Sequence, residues 1–206
     1  MISSFRINMT YLILILMWAT FLMQFVIFPV FFRIPPGSLL WRSIFVLSPQ
    51  QPLNVLTWVT SIFSHGSFVH IGINSIVLFF VGPVVERRLG RVHFVVLFLV
   101  SGIIAGLAQV GTTLVLNTGI QPGIVGSSGA IMGILGVLTL HRPNIKVYLF
   151  FLIPVPFWIL IVGFAAFSTV AGFSSMGPGG VANWAHLVGL GIGITYATVF
   201  QKQHAL

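Results

Sequence analysis

Gly126-Ser127-Ser128-Gly129 opens an apolar run that starts at Ala130 and ends near Leu140, just before His141-Arg142. A helix of that length, at about 1.5 Å per residue, reaches about 21 Å, short of a hydrocarbon core about 30 Å thick. Its start must lie below one membrane surface, with a serine at the buried end. Irregular backbone and hydroxyls at that depth are tolerated only inside protein or beside a water-filled cavity. Such a serine calls for a partner.

Composition places the run in a membrane. The 206 residues are 57% hydrophobic and 5% charged, against about 25% charged in soluble domains. Length fits one domain, residues 1–206. There are no cysteines, which excludes disulfides, thiol nucleophiles and thiolate metal sites. The net charge of +8 would suit nucleic acid. Its basic residues, however, fall at the ends of apolar runs, as orientation signals do, so nucleic acid is not an expected partner.

Working outward, six apolar segments read as spans, at about residues 9–32, 69–85, 94–116, 128–140, 147–171 and 182–200. Pro154 and Pro156 are expected to kink the fifth. The first is too long for a signal-peptide core and has no small-residue cleavage site, so it is expected to be retained. Residues 33–64 form a long first connection, with apolar parts suited to the membrane interface. Loops are expected at 117–125 and 172–181, the second as a mobile cap. Of the nine Lys and Arg, seven (Arg6, Arg87, Arg88, Arg91, Arg142, Lys146, Lys202) fall on one side if the N-terminus is cytoplasmic, against Arg33 and Arg42. The positive-inside rule then puts both termini in the cytoplasm and Ser128 toward the outside.

The partner sits at the same depth. Ala182-Asn183-Trp184-Ala185-His186 places a histidine about one turn into the sixth span. Small residues follow at every fourth position, Ala185, Gly189 and Gly193, and the short helix offers Gly129 and Gly133, with Gly136 close by. That spacing lets membrane helices approach backbone to backbone, bringing Ser128 and His186 within hydrogen-bond reach. A serine hydroxyl becomes a nucleophile when an adjacent imidazole takes its proton. His70 and Asn74, four apart on one helix face, supply polar donors near the same level, the kind that stabilises a developing oxyanion. The serine N–H at a helix start is another. Glu86 is the chain's one acidic side chain, at the other end of its span. A Ser-His-Asp triad is therefore excluded and a dyad remains.

These residues closely resemble, in order, the motifs of the rhomboid intramembrane serine proteases. Gly126-Ser127-Ser128-Gly129 is similar to the family's Gly-x-Ser-Gly, and Ala185-His186 with Gly189 and Gly193 to its Ala-His-x-x-Gly-x-x-x-Gly. His70 and Asn74 match its His-x-x-x-Asn. Gly82, Glu86 and Gly90 match a structural Gly-x-x-x-Glu-x-x-x-Gly. The resemblance implies an all-α six-helix bundle with a short central fourth helix and a long membrane-associated first loop. It implies Ser128 as nucleophile, His186 as base, and an oxyanion hole of the Ser128 N–H, His70 and Asn74. Expected partners are transmembrane segments of membrane-protein substrates and the surrounding lipid, with a small residue before the scissile bond and no metal or cofactor. Two features depart from the pattern. Met132 stands where many members carry Tyr or Phe, and Trp58 precedes Val59, while a Trp41-Arg42 pair occurs earlier.

Two other classes compete. A catalytically inactive rhomboid-like protein that binds membrane helices would be expected to lack the serine or the histidine, and both are present. A small-solute transporter or channel would show paired intramembrane charges or broken helices in repeated halves. With no transit-like extension before the first span, a prokaryotic plasma membrane is the expected location. Sequence leaves the oligomeric state and natural substrate open.

Overall fold

The computed structural model describes residues 8–116, 123–149, 152–173 and 182–203. Arg6, residues 117–122 of the first expected loop and 174–181 of the expected cap lie outside the described residues.

The chain begins with α1 (Met9–Leu22), which passes through a π-helical turn (Met23–Ile27) into α2 (Phe28–Phe31). The first connection carries α3 (Leu39–Phe45) and α4 (Val55–Phe63), followed by the long helices α5 (Phe68–Leu89) and α6 (Arg91–Leu116). The short helix α7 (Ser128–His141), α8 (Phe157–Phe173) and α9 (Asn183–Gln203) complete the helices. Three stretches, Met9–Phe31, Phe68–Leu89 and Arg91–Val115, are long and apolar enough to cross a membrane.

One expectation is corrected between α7 and α8. Residues 147–149 and 153–156 do not form the start of a kinked span. Strands β1 (Lys146–Leu149) and β2 (Ile153–Pro156) pair antiparallel, with Val147 opposite Val155 and Tyr148 opposite Pro154. Pro154 and Pro156 each push the preceding residue toward extended backbone, and Ile153 and Val155 are β-branched. Two prolines at alternate positions thus end the helical pattern instead of bending it.

A proline also explains the π turn. The Phe28 N–H reaches back five residues to the Met23 carbonyl. On the same pattern the Gln24 carbonyl would need a donor from Pro29, which has no N–H. Trp41 Nε1 from α3 donates to it instead, at 3.1 Å. Trp41 thus anchors the first connection, where it packs with Phe45 and Val46 against Phe28 and Ile34. Trp58 is used locally, its Nε1 donating to the Pro52 carbonyl at 2.9 Å.

At the other end of α1, Glu86 on α5 accepts from the Met9 N–H at 2.8 Å, the Thr10 N–H at 2.9 Å and Thr10 Oγ1 at 2.8 Å. A carboxylate on the orphan donors of a helix start is favoured by hydrogen bonding and by the helix dipole. A Cβ at Gly82 would sit 2.5 Å from Thr10 Cγ2, so only glycine lets α1 come this close. Gly90 ends α5 at φ +80°.

The core lies where α5, α6 and α9 surround α7 and α1 packs on α5, around Met17, Leu78, Phe94, Phe98, Ile134 and Val137. α7 makes its most extensive contact with α9. A Cβ on Gly189 would run into the Gly129 carbonyl, and one on Gly193 into the Gly133 carbonyl. A Cβ on Gly136 would lie 2.5 Å from the Leu190 carbonyl. Backbone rests on backbone along the whole seam.

Candidate active site

The N-terminus of α7, the first turns of α5 and α9, and the connection before α5 meet at one end of the bundle. Gly126 reaches this point at φ +120°, a region that L side chains rarely adopt. Its N–H donates to the Ser61 carbonyl at 2.8 Å. A Cβ there would lie 2.6 Å from His70 Cε1 and 3.7 Å from Asn74 Nδ2. Glycine at 126 is therefore required twice, for its backbone angle and because α5 presses its polar face against this turn. Leu47 and Ile124 exchange backbone hydrogen bonds at 3.0 and 2.7 Å, tying the first connection to the same turn.

The two serines of the turn point to different histidines. Ser128 Oγ lies 2.9 Å from His186 Nε2, and both residues are half-buried. Ser127 is fully buried, with its Oγ 3.4 Å from His65 Nε2. His186 Nδ1 is buried without a hydrogen-bond partner among the described residues. The α9 start is capped by Gln109 of α6, whose Oε1 accepts from the Trp184 and Ala185 N–H groups at 3.1 and 3.3 Å. Phe164 of α8 stands against the His186 ring, centroids 5.5 Å apart. An aromatic neighbour to the imidazole thus comes from another helix, not from position 132.

His65 was passed over by sequence reasoning. It is fully buried, and its Nδ1 lies 3.1 Å from the Phe63 carbonyl. A carbonyl only accepts, so Nδ1 carries the proton and Nε2 is left to accept. Asn74 Nδ2 donates to that Nε2 at 3.1 Å, which fixes the amide's orientation. Burial, with the nearby His70 adding to it, pushes the His65 pKa down to about 4, so it is neutral at pH 7. Gln24 holds this histidine from the π turn, its Oε1 accepting from the His65 N–H at 3.0 Å. The chain of contacts runs Gln24, His65, Asn74. Two polar residues beside the Ser67 cap of α5 and the Pro29 break were the available signals, but neither has a spacing that points to the other.

A half-buried serine hydroxyl on an imidazole, set in a bundle of membrane-length apolar helices, defines a membrane-embedded serine–histidine protein. More specifically, the chain belongs to the rhomboid family: the model of the Rhomboid domain matches residues 52–203. It is 27% identical over 165 residues to the mitochondrial Rhomboid protein 1 of Saccharomyces cerevisiae, covering 79% of this chain and 47% of that protein. Over 110 residues it is 34% identical to the putative rhomboid protease YdcA of Bacillus subtilis, covering 52% and 53%. Over 154 residues it is 29% identical to the rhomboid protease GlpG of Salmonella choleraesuis, covering 73% and 50%. The chain spans about half the length of the curated relatives it matches.

Proposed function

We propose that this chain is an intramembrane serine endopeptidase that hydrolyses peptide bonds in or beside transmembrane segments of membrane proteins. The observation that carries it is the 2.9 Å approach of Ser128 Oγ to His186 Nε2. Ser128 attacks the carbonyl carbon while His186 takes its proton. The Ser128 N–H, His70 and Asn74 donate to the oxyanion. His186 returns the proton to the leaving amine, and water, deprotonated by His186, then hydrolyses the ester and frees Ser128. The steps need no metal or cofactor.

In this reading α7, α8 and α9 join the three long helices in a six-span domain. Both termini are cytoplasmic, and the Ser128 end faces the other side. Support comes from Arg87 and Arg88 in the last turn of α5, and from Arg91, Arg142 and Lys146, which follow the C-terminal ends of α5 and α7, away from the dyad.

Labelling of the purified protein by a fluorophosphonate tests the assignment. Wild type and Ser127→Ala are expected to label and Ser128→Ala is not. Labelling lost only in Ser127→Ala would overturn the choice of nucleophile. No labelling of any variant would favour an inactive, helix-binding rhomboid relative.

A further inference from the structure

At the end of the bundle away from the dyad, a cavity of about 540 Å³ opens between the C-terminal turns of α5 and α7. Arg87, Arg88, His141 and Arg142 line it together with apolar Val84 and Leu138. The three arginines are exposed. Two helix C-termini contribute about half a negative charge each, which leaves the three guanidinium groups in excess. No side-chain carboxylate answers them. Glu86 is the chain's one acidic side chain, and both its oxygens are engaged at the start of α1.

A hollow with a cationic rim and an aliphatic lining matches a ligand with an anionic head and an apolar body. α5 is long and apolar enough to cross a membrane, so its last turn comes to the level of the lipid headgroups. Guanidinium groups bind phosphate oxygens through paired N–H donors. We propose that this cavity binds the phosphate of an anionic phospholipid, with the first acyl carbons against Val84 and Leu138. Free phosphate shares the head chemistry but makes no use of the apolar lining.

The test uses Ser128→Ala protein, so that lipid binding is read independently of any proteolysis. Native mass spectrometry follows retention of phosphatidylglycerol and of phosphatidylcholine from mixed micelles, with and without inorganic phosphate. At least tenfold stronger retention of phosphatidylglycerol is expected. Arg88→Gln with Arg142→Gln should abolish that preference, and the Arg88→Lys with Arg142→Lys pair should keep part of it. Arg33→Gln, a charge lost at the dyad end, should leave it unchanged. Equal retention of the two lipids, an unaltered preference in the double Gln variant, or an equal loss in Arg33→Gln would overturn the proposal. Displacement of phosphatidylglycerol by millimolar inorganic phosphate would make free phosphate the occupant and overturn the lipid assignment.

Discussion

α8 and α9 flank the same short helix and treat it in opposite ways. α9 lies on α7 backbone to backbone, with no room for a methyl group at Gly189 or Gly193. α8 buries Phe157, Ile161 and Ser168 but turns Ile159, Val162, Phe167 and Val170 outward, and reaches the site through Phe164 alone among the described ring contacts. One interface admits a single arrangement; the other is a wall of side chains that can repack. Ser128 and His186 are mounted on the first kind, so the spacing of the two backbones that carry them is set by main chain.

The comparison breaks most visibly with Gly189→Leu. Its side chain must displace the Gly129 carbonyl, so destabilisation is expected beyond the about 1–3 kcal/mol usual for overpacking, with labelling lost as well. An unchanged melting temperature would deny the close seam. His186→Ala should abolish labelling while melting stays near wild type, separating the chemistry from the scaffold. Asn74→Ala should slow proteolysis by about 10²–10³-fold, the worth of one oxyanion donor, and a complete block would give Asn74 a larger part. On the loose side, Phe164→Ala should cost about 0.5–1.5 kcal/mol of ring contact, read as a severalfold slower labelling with little change in melting. A loss as large as that of Gly189→Leu would erase the distinction between the two helices.

The last effect is one of pH. His65 has an ordinary pKa of 6.5 when unfolded and about 4 in place. The unfolded chain therefore takes up its proton first as pH falls. Its contribution to stability is complete above pH 6.5 and is lost progressively toward pH 4. Melting curves of His65→Gln should show a shallower decline over that window than wild type, and parallel curves would remove His65 from the account.

Much of the tight interface was legible in the sequence because glycine at every fourth position has few uses in an apolar helix other than close approach. The same spacing singled out Ser128 and His186, which the structure brings together. His65 and Gln24 were illegible for the opposite reason. They lie 41 residues apart and meet only because Pro29 leaves a π turn that aims Gln24 inward. Phe164 sits on a helix whose apolar residues look alike in sequence, so nothing marked the one that touches the imidazole. The β1–β2 hairpin was hidden in an apolar run whose two prolines were read as kinks. Glu86 was placed at the correct end of its helix, but a carboxylate gives no sign of which distant backbone it will cap.

The wide turn after α1 holds one residue more than the helix around it would need, and each residue is worth about 100° of rotation at 3.6 per turn. Excising Met23 would close the turn into plain helix and leave the residues beyond it in phase with α1, but would carry Gln24 back by about 100°. The Gln24 amide would then swing off the His65 backbone, while the length available to cross a bilayer stayed almost the same. What the extra residue contributes to the far histidine is the phase of one side chain, and that is what this deletion would scramble.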